Sequence, residues 1–373
     1  MSKFKELLRT YSPEGVEYQE LGSLVDIFDN LRKPVARDKR EVGEYPYYGA
    51  NGIQGYVKDY LFDGTYLLMG EDGSVINPDR SPILTWVKGK FWVNNHAHVL
   101  SERPHLALLR YVYYALQLSD ISNVVRGMPP KINQANMRAI KLPVPALKVQ
   151  MEIVKILDRF TELDAALEAE LETRKSQYGH YRNHLFSFPE TEQEVRWLPM
   201  GEVCEMSWGN TSITKASYID SKDGFLAYSA SGPDGLLPHY EFDREAIILS
   251  AIGARCGKTY FASGKWTCIK NTMYFFSRDP QVLDKYLFWF TNREEFWPRS
   301  TSAQPFISLG DVRNLKVPIP DLATQQIIVD AMDKLDALIS SNSIGLPAEI
   351  SARRLQYEYY RNKLLTFKEL GVP

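Results

Sequence analysis

Few residues of this chain have the types and spacing for covalent chemistry. The run Gly253-Ala254-Arg255-Cys256-Gly257-Lys258-Thr259 has the glycines, lysine and hydroxyl of a phosphate-cradling loop, but three residues separate its glycines where that loop needs four. The following Tyr260-Phe261-Ala262-Ser263-Gly264 is also a poor helix start, so nucleotide chemistry is not expected. His96 and His98 alternate after Asn94-Asn95 with no nearby cysteine or carboxylate pair, which suits structural or polar contacts better than metal ligation. The three cysteines, Cys204, Cys256 and Cys268, lack CxxC spacing and argue against a disulfide framework or a four-ligand zinc site. No catalytic residue and no metal ligand is assigned.

What remains is charge carried by loops. From Arg103 to Gln150 stand Arg103, Arg110, Arg126, Lys131, Arg138, Lys141 and Lys148 against the single acid Asp120. From Ala246 to Arg278 stand Arg255, Lys258, Lys265, Lys270 and Arg278 with no acid. Lysine and arginine attract phosphates, and base edges are read by Arg, Lys, Asn, Gln, Ser and Thr. The first segment therefore offers Arg126, Lys131 and Asn133 as DNA contacts, supported by the run Arg32, Lys33 and Arg37. The second offers Arg255, Lys258, Lys270, Asn271, Arg299 and Gln304. The plain alternative for each is a solvated surface charge.

Composition limits the scaffold. Hydrophobic residues make up 44% and charged residues 24% of 373 positions, a globular composition long enough for two or three domains. The 44 basic and 46 acidic residues give a net charge of −2, so any nucleic-acid surface must be local. The longest apolar stretch, Ala246 to Ala254, is broken by Ser250 and falls short of the roughly 20 residues of a membrane span. The charged N-terminus, MSKFKELLRTYSPEG, is unlike a signal peptide, and a reducing cytoplasm is the expected compartment.

The chain also repeats itself. Gly22 and its neighbours align with Gly201, and Tyr181-Arg182-Asn183 with Tyr360-Arg361-Asn362, both at an offset of 179. Between these anchors Tyr48-Gly49-Ala50-Asn51-Gly52 matches Tyr228-Ser229-Ala230-Ser231-Gly232, and Leu142-Pro143-Val144-Pro145 matches Val317-Pro318-Ile319-Pro320. At the local offsets Arg126 faces Thr301, and Asp72 falls near Arg255. Each half opens with short strands, among them 66–69, 83–87, 246–249 and 273–276, and one helix near 106–118 or 283–290.

After each Pro-x-Pro pair the apolar period becomes helical. Ile153, Ile156, Phe160, Leu163 and Leu167 step by three and four, and the pattern resumes at Leu171, Tyr178, Tyr181 and Leu185. A helix from Lys148 to Phe186 has 39 residues, roughly 58 Å at 1.5 Å per residue. The second half shows Ile328, Met332, Leu335 and Leu338, a break over 340–347 with Gly345 and Pro347, then Ile350, Tyr357, Tyr360 and Leu364. The seams predict a coiled coil.

This organisation resembles the specificity subunit of type I restriction-modification systems. The resemblance covers essentially the whole chain and rests on Pro46-Tyr47-Tyr48-Gly49-Ala50-Asn51-Gly52, Gly70-Glu71-Asp72-Gly73-Ser74, the two Pro-x-Pro pairs, Gly345-Leu346-Pro347-Ala348-Glu349-Ile350 and Gln356-Tyr357-Glu358-Tyr359-Tyr360-Arg361-Asn362. It implies an α+β fold class: two similar mixed α/β target-recognition domains in pseudo-two-fold repeat, separated by long helices forming an antiparallel coiled coil. The domains would be residues 1–146 and 189–320, with helical spacers at 147–188 and 321–373. The resemblance further implies a non-catalytic chain reading a bipartite DNA target, one half-site per domain. It would dock two modification subunits carrying S-adenosylmethionine, with two restriction subunits using ATP and Mg in the full complex. Tyr181, Arg182, Arg353, Arg354, Tyr360 and Arg361 are the candidate docking residues at equivalent helix positions. The competing readings are a duplicated protein-interaction scaffold, separable by its lack of salt-dependent DNA binding, and a nucleotide-binding protein using Gly253–Thr259.

Overall fold

The structure, a computed structural model, describes residues 2–189, 195–221, 223–340 and 345–371. It divides into two compact units, residues 1–168 with 349–373 and residues 169–348.

The first unit begins with α1 (Ser2–Tyr11), β1 (Glu17–Glu20), the single turn α2 (Leu21–Leu24) and β2 (Val25–Ile27). There follow β3 (Tyr45–Gly49), β4 (Gly52–Val57), β5 (Phe62–Gly70), β6 (Leu84–Val93), β7 (Ala97–Glu102), α3 (Leu109–Leu116), α4 (Gln134–Arg138) and β8 (Lys141–Val144). Helix α5 (Leu147–Leu185) contributes residues to both units. The second unit holds β9 (Arg196–Pro199), α6 (Met200–Val203), β10 (Cys204–Trp208), β11 (Phe225–Ser229), β12 (Gly232–Leu237), β13 (Phe242–Asp243), β14 (Ala246–Ser250), β15 (Thr259–Ala262), β16 (Lys265–Cys268) and β17 (Thr272–Ser277). It ends with α7 (Asp284–Thr291), α8 (Leu309–Asn314), β18 (Lys316–Ile319) and α9 (Leu322–Ser340), and α10 (Leu346–Leu365) belongs mainly to the first unit.

Six strands of the first unit form one mixed sheet in the order β2-β7-β5-β6-β3-β4, with β3 and β6 parallel. The second unit repeats this plan as two sheets, β10-β17-β14-β15 and β12-β11-β16-β13. The difference lies in one strand. β6 runs unbroken through Gly89 at φ +93°, whereas its counterpart is cut beside Gly264 at φ +69° into β15 and β16. Leu67, Leu68 and Met69, like all of Ala246–Ser250, are buried, so both faces of the central strands are covered.

Paired polar devices join head to helix in each unit. Gln150, wholly buried, accepts from Leu108 N–H at 2.9 Å and donates to Pro145 O at 2.8 Å; Gln325 does the same with Leu283 and Pro320 at 2.9 and 2.8 Å. The Tyr111 and Tyr286 hydroxyls each donate at 2.8 Å to the carbonyl of the proline opening the Pro-x-Pro pair, Pro143 and Pro318. Asp158 accepts from Arg110 and Tyr114, and Asp333 from Lys285 and Trp289. The Gly22 and Gly201 anchors have a steric reason: a Cβ there would stand 2.8 Å from Arg138 and 3.2 Å from Arg313.

The helices depart from a seam that is rod throughout. Val149, Gln150, Ile153 and Leu157 of α5 are buried in the first head's core, while Leu163 and Tyr181 are 38% and 50% exposed. From Phe160 onward α5 pairs with α10 inside the first unit. Phe160 stacks on Tyr360 with centroids 5.5 Å apart, and Arg354 bonds Asp164 at 3.0 Å and also reaches Glu168. Residue numbers rise along one helix as they fall along the other, so this pair is antiparallel. The break expected over 340–347 is framed by the end of α9 at Ser340 and the start of α10 at Leu346; residues 341–344 lie outside the described residues. Gly345, at φ +83°, stands directly before α10, and a Cβ there would meet the Leu338 and Ala337 carbonyls at 2.9 and 3.0 Å.

Candidate nucleic-acid interface

In the first unit the β3–β4 turn, the loop after β5, the β6–β7 turn and the α3–α4 loop are laced together. Asn94 N–H donates to Tyr48 O at 3.0 Å, Glu71 N–H to His96 O at 2.8 Å, Gly73 N–H to Pro130 O at 2.9 Å and Ile132 N–H to Glu71 O at 2.9 Å. Arg126 and Lys131 exchange backbone hydrogen bonds of 2.8 Å, closing a loop whose Met128 is 98% exposed. Asp72 and Lys131 face each other across an antiparallel bridge.

Beneath this loop lies a polar cluster that sequence reasoning missed. Arg32 Nη1 bonds Glu71 at 2.5 Å and Ala97 O at 2.8 Å. His98 Nδ1 lies 2.6 Å from Asp29 Oδ2, and its Nε2 lies 3.0 Å from Ile132 O. Burial would raise the Asp29 carboxyl, but the His98 hydrogen bond and charge outweigh it, with help from Val99 N–H and Gln134, and hold it below the ordinary range. Carboxylates therefore do surround the histidines, contrary to the sequence expectation, because Asp29 and Glu71 arrive from distant segments; His96 Nδ1 also lies 3.8 Å from Asp72. Asp29, Glu71 and His98 offer ligand atoms within 4.8 Å of one another, but the Arg32 guanidinium already supplies the cation among them. The group is an internal ion cluster bracing the loop, and its carboxylates hold the Arg32 guanidinium, 12% exposed, within it.

The candidates of the first unit differ in setting. Arg126 is exposed, its guanidinium donating to Val125 O at 2.9 Å, while Lys131 sits 3.7 Å from Glu71 and 3.8 Å from Asp72. Asn133 caps α4, its side chain accepting from Asn136 N–H at 2.8 Å. Lys33 and Arg37 are exposed and form no ion pair among the described residues; Lys33 N–H is anchored to Val93 O, next to the β6–β7 turn. The local excess of cations does not become a basic face, because Asp26 meets Arg103 at 2.9 Å and Asp158 meets Arg110 at 2.7 Å.

The second unit builds the same frame. Ile269 N–H donates to Tyr228 O, Ala251 to Asn271 O, Gly253 to Pro305 O and Ile307 to Ala251 O, at 2.9–3.0 Å. Ile252 and Phe306 form the bridge equivalent to Asp72 and Lys131. Asp72 thus corresponds to Ile252 and not to a place near Arg255, while Ser300, whose N–H donates to Phe306 O, takes the place of Arg126. Lys258 and Lys270 are exposed without a carboxylate partner among the described residues, and Arg255 donates to Ser231 O at 3.3 Å. Arg299 donates to Cys256 O at 3.3 Å, Asn271 sits at φ +69° in the turn before β17, and Gln304 is exposed. Gly253–Lys258 leads into strand β15, so no helix N-terminus faces the loop.

The docking candidates are less free than the sequence suggested. Tyr181 and Arg354 are exposed, but Arg354 is held by Asp164 and Glu168. Arg182 is only 18% exposed, lies over Tyr178 and donates to Asn292 O; Arg361 lies over Tyr357, Tyr360 is half-buried on Phe160, and Arg353 bonds Gln356 and Glu349. Arg354 and Tyr360 fasten α10 to α5, and Arg182 ties α5 to the end of α7, each within one unit.

The sequence matches the profile of the type I restriction modification DNA specificity domain over residues 13–173 and again over 194–352. It is 31% identical to a Haemophilus influenzae chain assigned as a type I restriction enzyme specificity subunit, covering 94% of this chain and 96% of that one. It is 30% identical to the EcoR124I/EcoR124II specificity subunit of Escherichia coli, covering 79% and 80%. The fold is similar to the crystal structure of a type I restriction-modification S subunit from M. genitalium, with TM-score 0.62, 17% identity and coverage of 94% and 96%. A chain from a study of complex assembly and conformational transition in the type I system gives TM-score 0.60 at 14% identity over 95% and 98%. No helix among the described residues is long and apolar enough to cross a membrane.

Proposed function

This chain belongs to the family of type I restriction-modification specificity subunits, and from that premise we propose that each unit reads one half of a split DNA target. The observation that carries this is the repeated loop frame: the same hydrogen-bonded scaffold stands twice in one chain with different exposed side chains on it. Identical frames give the heads the same approach to DNA, and different side chains give them different bases. Arg126, Lys131, Lys33 and Arg37 would serve the first head, with Arg255, Lys258, Lys270, Asn271, Arg299 and Gln304 on the second. Asn133 would contribute chiefly its amide nitrogen, since one lone pair of its oxygen already accepts from Asn136 N–H in capping α4.

The chain itself does no chemistry in this reading. α5, α9 and α10 act as an antiparallel spacer and present two equivalent faces to two modification subunits that bind S-adenosylmethionine and methylate adenine. Restriction subunits using ATP and Mg complete the complex in the cytoplasm. Tyr181 and Arg353 keep the exposed area that a docking role needs, and the remaining docking candidates would act by holding the helix pairs in shape.

The test is a genome-wide map of methylated adenines in cells carrying this gene with its partners. Deletion is expected to abolish one bipartite motif, and an unchanged set of motifs would refute the proposal.

A further inference from the structure

The bridge at the centre of each loop frame is chemically opposite in the two units. In the first, Lys131 and Asp72 place an ammonium beside a carboxylate, with side chains 51% and 29% exposed. In the second, Ile252 and Phe306 occupy the same two places, and Phe306 is 48% exposed. The difference continues inward, where Glu71 corresponds to Ala251, and His98, opposite Met69 in the strand register, is replaced by Met273, opposite Leu249. The Phe306 ring is thus presented to solvent at the place where the first unit presents an ammonium.

We propose that these two bridges are the specificity-determining pairs of the two heads. This rests on the reading of the chain as a DNA-recognition subunit. Lys131 donates only and Asp72 accepts only, so together they complement a base edge that offers an acceptor beside an exocyclic amino donor. That pattern is found at adenine (N7 and N6) and across a G·C pair (O6 or N7 and the cytosine N4). Ile252 and Phe306 can make no such bonds, and their complement in the major groove is the 5-methyl group of thymine.

The experiment uses the complex assembled with its modification subunits and duplexes carrying the methylated motif, each thymine replaced in turn by uracil, which lacks only the methyl group. For the unsubstituted complex, one position in the second unit's half-site is expected to lose about fourfold in affinity, the worth of one buried methyl. Phe306→Ala should remove that sensitivity. The exchange Asp72→Ile with Lys131→Phe should create a uracil-sensitive position in the first half-site and change the base preferred there, leaving the second half-site as it was. The base lost, adenine or a G·C pair, identifies which edge the ion pair read. Asp72→Asn with Lys131→Gln, which keeps size and polarity, should blunt the first half-site's preference without creating uracil sensitivity. The proposal is overturned if no thymine of the second half-site responds to uracil, or if the exchange leaves the first half-site unchanged in a folded complex. If the unsubstituted complex binds a duplex lacking the motif as tightly as one carrying it, the DNA-reading assignment itself fails.

Discussion

Replacing Gln150 by leucine is expected to loosen the joint between head and helix in the first unit only. Leucine fills a similar volume but returns none of the hydrogen bonds, so Leu108 N–H and Pro145 O lose their partner in a place closed to water. Each unsatisfied buried group costs about 1–3 kcal/mol, and the added apolar contact offsets part of that, which leaves about 2–4 kcal/mol. For a unit of this size each kcal/mol moves the melting point by about 2–4 °C, so a drop of about 5–15 °C is expected in the transition of the first unit. Urea or thermal unfolding followed by circular dichroism measures it, with Gln325→Leu as the matched change in the second unit. The two variants should weaken different half-sites. A shift below about 0.5 kcal/mol, or equal effects on both half-sites, would refute the view that these glutamines hold each helix to its own head.

Burial raises the Asp284 carboxyl to about 6, against the lowering influence of the Ser277 N–H and Arg244. A carboxyl raised on folding binds its proton more readily in the fold, so its contribution favours the fold at low pH and is lost as pH rises from about 4 through about 6. Asp284→Asn should therefore stabilise the second unit at pH 7–8, by up to about 3 kcal/mol, with the gain fading near pH 4 in pH-dependent unfolding. Lys258→Ala or Lys270→Ala should each reduce the slope of log affinity against log salt by about 0.9 without altering the methylated motif; a changed motif would mean that the lysine reads a base. Inserting one heptad between Leu163 and Lys175 lengthens α5 by about 10 Å, or about three base-pair steps. Methylome mapping should then show a different gap between unchanged half-sites.

Much of the plan was legible because it rests on repetition and punctuation. The Gly22 and Gly201 anchors and the Pro-x-Pro pairs marked the repeat, the long apolar period marked α5, and the expected strands at 66–69, 83–87, 246–249 and 273–276 fall on β5, β6, β14 and β17. The site was less legible because charge was counted along the chain, while ion pairing happens across it. Asp26, Glu71, Asp72 and Asp158 reach the first segment's cations from outside it. Arg32 read as part of a basic run, yet folding turns it inward to Glu71. The importance of Gln150 and Gln325 was visible in one respect: each stands five residues after the last proline of its Pro-x-Pro pair. Phe306 carried no signal, since an aromatic residue in a loop does not announce whether it faces core or solvent.

The joints made by Gln150, Tyr111 and Asp158, and again by Gln325, Tyr286 and Asp333, are nearly interchangeable. For heredity this means that a crossover between the two copies, at the codons of Leu142–Pro145 and Val317–Pro320, joins a head to a helix it was never paired with and still brings a glutamine, a proline carbonyl and an aspartate to the matching places. Selection can then trade whole heads by recombination, and the concealed joints stay constant because every new combination has to fit them.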